Sequence, residues 1–280
     1  MAENSKIEWC DHTFSPWLGC QHVSPGCERC FAESWSKRSG LVEWGPHGER
    51  KRTSADYWKQ PLRWARKARE ERREYNEIVR LAPEFGEHSL PPLRPRVFCA
   101  SLCDVFDNQV QQEWRTDLFR LIDATPELDW LLLTKRPENM RIMLPRACGE
   151  ATKYADRPWP WPNIWLGFTA EDQEHFNRRW PIVRDIPAAV RFCSYEPALG
   201  PLTLPDDVSG HLNWIIAGSE SGHGARPMSI EWPRLLRDEC LAHDVRFFAK
   251  QLTGKGGVAI KDIEKFPADL RIREFPRAAA

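Results

Sequence analysis

From residue 96 onward the chain alternates short apolar runs with longer polar or amphipathic stretches. The runs lie at 96–100, 129–133, 163–167, 190–194, 213–217 and 245–249 and are rich in β-branched and aromatic side chains. Runs of that length, apolar at consecutive positions, predict parallel strands buried on both faces. Between them the period changes. Residues 111–124 set Trp114, Leu118, Leu121 and Ile122 on one stripe, and residues 230–243 do the same with Leu235, Leu236 and Leu241. Both predict amphipathic helices. A strand-then-helix unit repeated about six times predicts an α/β domain with a parallel sheet or barrel. A further strand around residues 13–17 completes the count.

The segment after each run is more informative than the run. The tails read Ser101-Leu102-Cys103-Asp104, Thr134-Lys135-Arg136-Pro137, Phe168-Thr169-Ala170-Glu171, Tyr195-Glu196-Pro197, Gly218-Ser219-Glu220-Ser221-Gly222 and Lys250-Gln251. In barrels and open α/β sheets the C-terminal strand ends build the ligand site, so these tails are expected to converge on one pocket.

Residues 50–94 break the rhythm. Residues 57–75 carry Lys59, Arg63, Arg66, Lys67, Arg69, Arg72 and Arg73 and predict one or two basic helices, broken near Pro61. Leu90-Pro91-Pro92-Leu93-Arg94-Pro95 reads as a linker. The segment is expected to be an insertion or lid within one domain spanning residues 1–280. Its cations could meet a phosphate backbone, but Glu70, Glu71, Glu74 and Glu77 interleave with them at helical spacing, which predicts a solvated, self-paired face.

Composition narrows the class. A chain of 280 residues with 40 basic and 40 acidic side chains has a formal net charge of zero and length for a substantial core. No apolar run approaches the roughly 18 residues of a membrane span, and Met1-Ala2-Glu3-Asn4-Ser5-Lys6 does not read as a secretory signal, so a cytoplasmic protein without membrane contact is expected. Nine cysteines, an odd number outside any small secreted framework, predict no structural disulfides. Of the fourteen tryptophans, most are expected in the core and one or two at a pocket.

Three of those cysteines stand together in Gly19-Cys20-Gln21-His22-Val23-Ser24-Pro25-Gly26-Cys27-Glu28-Arg29-Cys30-Phe31-Ala32. Three thiolates are one short of a closed site. Structural zinc takes four ligands, so a zinc reading recruits His22 or His12 as the fourth. Ordinary iron–sulfur carriers also use four cysteines, so three leave one iron open to a small molecule. A redox dithiol at Cys27 and Cys30 would leave Cys20 superfluous. Cys103, at a strand end, is a candidate to face the pocket. Cys99, Cys193 and Cys240 fall in strand or helix patterns and read as small buried hydrophobes. Cys10 and Cys148 carry no signal.

Beyond that loop, Ile7-Glu8-Trp9, Leu133-Thr134-Lys135-Arg136-Pro137, Trp165-Leu166-Gly167, Ser194-Tyr195-Glu196-Pro197, Phe248-Ala249-Lys250-Gln251 and the stretch from Gly218-Ser219-Glu220 to Ala225-Arg226-Pro227 stand out. With these segments the chain resembles a phage-associated three-cysteine-motif family related to radical S-adenosylmethionine (SAM) enzymes. The common radical SAM loop spaces its cysteines by three residues and then two, with an aromatic before the last. Here the first gap is six, Arg29 precedes the last cysteine and Phe31 follows it.

The resemblance implies a partial (β/α) TIM-like barrel. It implies Cys20, Cys27 and Cys30 as ligands of a 4Fe-4S cluster whose open iron binds SAM, and reductive cleavage of SAM to a 5′-deoxyadenosyl radical. Ser101 and Asp104 would meet the methionyl amino group. Thr169, Glu171, Ser194 and Glu196 would meet the ribose hydroxyls and sulfonium, and Gly218 and Glu220, in the 218–224 segment, the adenine side. Glu196 and Glu220 are equally suited to ion pairs with Lys135, Arg136 or Arg226. Lys135, Arg136 and Cys103 are the candidate catalytic residues, and Lys135 and Arg136, with Lys250 and Gln251, suit an anionic substrate. The implied partners are a small-molecule or nucleotide substrate, or a nucleic-acid base, and an external electron donor. Two other readings are a zinc-stabilised nucleic-acid-binding protein and an iron–sulfur protein without radical chemistry.

Overall fold

The computed structural model describes residues 3–144, 159–222 and 224–276; Cys148 and His223 lie outside them. Short strands β1 (His12–Phe14), β2 (Trp17–Leu18) and β3 (Lys51–Arg52) come first. The apolar runs form β4 (Arg96–Cys99), β5 (Asp129–Thr134), β6 (Ile164–Thr169), β7 (Val190–Tyr195), β8 (Trp214–Gly218) and β9 (Arg246–Thr253), followed by β10 (Ala259–Ile260). Eight strands make one sheet in the order β1-β4-β5-β6-β7-β8-β9-β10. Every neighbouring pair is parallel except β9 and β10. Strand order follows chain order without a reversal, so every tail from β4 to β9 leaves the sheet at the same end. The helices include α1 (Phe31–Ser39), α2 (Ala55–Trp58), α3 (Gln60–Leu81), α4 (Pro83–His88), α5 (Gln112–Asp123), α6 (Gln173–Arg184) and α7 (Glu231–Ala242). Among the described residues no helix is long and apolar enough to cross a membrane.

The consecutive apolar positions are explained by burial on both faces. Trp130, Leu132, Leu166, Phe168, Cys193, Tyr195, Ile215, Ala217, Phe247 and Ala249 belong to the large core that also takes in Leu118, Phe119 and Ile122 of α5, Phe176 and Trp180 of α6 and Leu236 of α7. The alternate positions Leu131, Trp165, Val190, Phe192, Trp214, Ile216 and Phe248 form a second core on the opposite face, sealed by Trp9 and Phe275 from the two ends of the chain. That second face has no room at one point. A Cβ on Gly167 would lie 2.2 Å from the Phe192 ring, so only glycine lets the aromatic cross the strand.

Two elements depart from the sequence reading. The strand expected at residues 13–17 is split into β1 and β2 by Pro16, and β2 pairs antiparallel with β3. The break expected near Pro61 falls at Lys59, between α2 and α3. Pro61 itself lies in the first turn of the 22-residue α3, where a missing N–H removes no intrahelical bond. The strand–helix repeat fails between β7 and β8, where Pro197, Gly200, Pro201 and Pro205 lead only to a 3₁₀ turn at Asp206–Val208.

Helix α3 buries Trp64, Ala65 and Ala68. Trp64 stacks on His12 of β1 with ring centroids 4.3 Å apart, so the 50–94 segment covers the sheet's β1 edge. On its outer side Arg66 and Lys67 pair with Glu70 and Glu71 at 4.0 Å.

Candidate metal centre

Cys20, Cys27 and Cys30 open on one cavity of about 130 Å³ at the C-terminal ends of β4, β5 and β6. Gly19 makes the approach possible. Its φ of +98° is left-handed backbone, and a Cβ there would crowd Val42 at 3.1 Å. The chain then makes a 3₁₀ turn at Pro25–Cys27, with the Cys27 amide donating to the Ser24 carbonyl at 2.9 Å. Cys30 is the N-cap of α1. Burial pushes its thiol up, while the backbone amides of Glu33 and Ala32 and the charge of Lys135 oppose that shift. A helix N-terminus favours negative charge in this way.

Strand tails hold the loop at three points. From the β5 tail, the buried Arg136 guanidinium donates from Nη1 to the Cys20 sulfur at 3.3 Å and from Nη2 to the Gln21 carbonyl at 3.0 Å. Asp104 fixes that guanidinium. It accepts from Arg136 Nη1 at 3.0 Å, from Thr134 Oγ1 at 2.7 Å and from the Phe106 amide at 2.9 Å. From the β6 tail, Glu171 accepts the Gly26 amide at 3.3 Å and an Arg179 N–H at 2.7 Å. Burial alone would raise the Glu171 carboxyl, but the Arg179 guanidinium, Ser24, His175 and Lys135 together outweigh it and hold the group below its ordinary value. After β8, Glu220 pairs with Arg226 and accepts from Arg29 at 3.2 Å, while Arg226 reaches the Pro25 carbonyl at 3.0 Å and Glu28 at 2.9 Å.

Burial pushes the Cys20 thiol up to about 11 although the Arg136 charge works the other way. Cys103 is raised well above its ordinary value by burial and by neighbouring Cys99. Both thiols are therefore protonated at neutral pH, and a metal at Cys20 would release its proton.

Of the residues expected at the site, Ser101, Cys103, Asp104, Lys135, Arg136 and Thr169 line the same cavity as the three cysteines. Lys135 has no carboxylate within ion-pair distance among the described residues, whereas Asp104 and Arg136 are occupied with each other and with the loop. Glu171 is a loop anchor. Ser194 is buried beside Thr169, its partner in the β6–β7 register. Glu196 pairs with Lys250 and flanks Gly218, where a Cβ would meet its carboxyl carbon at 3.3 Å. Glu220 makes the ion pair expected with Arg226. The histidines are placed differently. His12 is stacked on Trp64, and His22, although it lines the cavity, has Nε2 2.6 Å from Glu33. Among the described residues no three His, Cys, Asp or Glu side chains are gathered closely enough to share one metal ion.

Several participants carry no motif. Trp44 lines the cavity. Arg179 is visible only as an arginine on the buried stripe of Phe176, Trp180 and Val183 in α6. Gly26 gives the Glu171 carboxylate access to the loop backbone, where a Cβ would touch that carboxylate at 3.2 Å.

Residues 4–269 match the family model described as "Protein of unknown function (DUF5131)". No curated protein and no solved structure matches the chain.

Proposed function

We propose that the chain, which belongs to the DUF5131 family, is an iron–sulfur enzyme of the radical SAM type, built on a sheet curved as a partial (β/α) barrel. The observation that carries the reading is the opening of Cys20, Cys27 and Cys30 on one cavity at the C-terminal ends of parallel strands. The donor set fits a cluster. Three thiols line one cavity, although among the described residues no three ligating side chains are close enough to share a single ion, and the cationic Arg136 and Lys135 at the cavity wall would offset the negative charge that thiolates and cluster bring.

In this reading Cys20, Cys27 and Cys30 would hold a 4Fe-4S cluster beside bound SAM. When bound, the two together would supply one-electron reductive cleavage of a sulfur–carbon bond of SAM. The chain's own residues then have separate tasks. Arg136, Glu171 and Arg226 keep the cysteine loop on the strand ends. Thr169 and Ser101 present hydroxyls to the cavity, and Lys135 presents a cation suited to an anionic substrate such as a nucleotide. Trp44, Phe98 and Leu133 exclude water from the walls, and Cys103 adds a protonated thiol. At about 130 Å³ the cavity is smaller than the roughly 300 Å³ of small-molecule pockets, so a whole nucleoside would extend from it along the sheet toward Ser194, Glu196 and Gly218.

The test is product release. The anaerobically reconstituted chain, given SAM and a strong one-electron reductant, is expected to release 5′-deoxyadenosine. An iron-loaded chain that releases none under those conditions is an iron–sulfur protein of another kind.

A further inference from the structure

Cys20 differs from the other two cysteines of the loop in its polar surroundings. Its sulfur takes a hydrogen bond from the Arg136 guanidinium at 3.3 Å. Among the described residues, neither the Cys27 nor the Cys30 sulfur receives a bond from a charged side chain. The donor has no freedom to turn away. Arg136 is 4% exposed, its Nη2 is taken by the Gln21 carbonyl, and its backbone amide donates to Thr134 Oγ1 at 2.9 Å. Asp104 locks the other side, accepting from Thr134 Oγ1, the Phe106 amide and Arg136 itself. A buried, rigid, permanently charged donor aimed at one sulfur is more than a cap for a strand end.

We propose that Arg136 is a positioning residue that makes the cavity electronically asymmetric, raising the reduction potential of an iron–sulfur cluster at its Cys20 corner, with Asp104 and Thr134 fixing its direction. The inference rests on the iron–sulfur reading of the site. The physical ground is that a hydrogen bond from a cation to a ligating sulfur withdraws charge and favours the reduced, more negative form of the centre. Lys135 is the internal comparison. It lines the same cavity and carries the same charge without bonding to Cys20.

The test is the midpoint potential of the reconstituted chain, followed by optical or EPR titration, in wild type, Arg136→Lys, Arg136→Met and Lys135→Met, with iron and sulfide content measured for each. Removing the guanidinium–sulfur bond is expected to disfavour reduction about tenfold, a negative shift of about 59 mV for a one-electron couple. Arg136→Lys keeps the cation beside Asp104 but cannot fork to both the sulfur and the Gln21 carbonyl, and is expected to shift part of the way. If Arg136→Met leaves a buried Asp104 without its cation and does not fold, Arg136→Lys decides. Lys135→Met is expected to shift less than either. Clusters of full content whose potentials match wild type in the Arg136 variants, or move as far in Lys135→Met, overturn the inference and leave the cluster reading standing. A wild-type chain that takes up no cluster fails the reading itself, and the inference with it.

Discussion

Arg179 and Glu171 form a buried ion pair at 2.7 Å, with side chains 1% and 0% exposed, and the free oxygen of Glu171 takes the Gly26 amide of the cysteine loop. One carboxylate thus ties helix α6, the end of β6 and the candidate metal loop together. Removing one partner of a pair this deep leaves an uncompensated charge, at a cost of about 3–5 kcal/mol. Arg179→Met is expected to lose about that much stability in chemical denaturation and to make the 20–30 loop accessible to limited proteolysis. Loss of stability with an unchanged cleavage pattern would show that the pair supports α6 alone.

Gly167 is a packing prediction independent of any chemistry. Gly167→Ala sets a methyl where the Phe192 ring now lies, and overpacking of that kind costs about 1–3 kcal/mol. The double variant Gly167→Ala, Phe192→Leu is expected to recover part of the loss. Additive losses in a double-mutant cycle would contradict the contact.

Asp129 gives the chain a pH dependence at the opposite end of the sheet. Burial raises its carboxyl from 3.8 to about 6, and Arg94, 2.9 Å away, only partly offsets the shift. The folded state therefore keeps a proton that the unfolded state has already released. Stability contributed by this group is present below about pH 4 and falls as pH rises to about 6, by about 3 kcal/mol in full. Thermal melts of wild type and Asp129→Asn are expected to diverge across that window, with the variant the more stable at pH 7. Parallel curves from pH 4 to 7 would place the titration elsewhere.

Glu196 tests the extension of the site beyond the cavity. It lies beside Gly218 and pairs with Lys250 at the strand ends. Glu196→Gln is expected to weaken SAM binding about tenfold, the worth of one charge-assisted contact, with iron content unchanged. Calorimetry showing equal affinity would remove the residue from the SAM site.

The strands were legible because they are buried on both faces. Runs such as Trp130-Leu131-Leu132-Leu133 divide alternately between the two cores, so no polar residue interrupts them. The two-residue strands β2 and β3 leave no periodic signal, and the missing crossover helix between β7 and β8 was written in prolines that the repeat count passed over. At the site, the sequence predicts six tails converging on one pocket with the cysteines; those of β4, β5 and β6 line the cavity, and those of β7, β8 and β9 do not. What the residues did not disclose is division of labour. Asp104, Glu171 and Glu220 read equally well as ligand contacts, and only their partners Arg136, Arg179 and Arg226 reveal them as supports for the loop. The Glu220–Arg226 pair is among those the sequence offers, whereas Asp104 and Arg136, 32 residues apart, have no local pattern to betray them.

The central claim is that Cys20, Cys27 and Cys30 together ligate iron. Anaerobic reconstitution with iron and sulfide, followed by metal analysis, addresses it directly. The account predicts a brown chain carrying about four irons, with the colour and the iron lost together in Cys27→Ala. A colourless wild-type chain holding about one zinc, released by the same substitution, would contradict it.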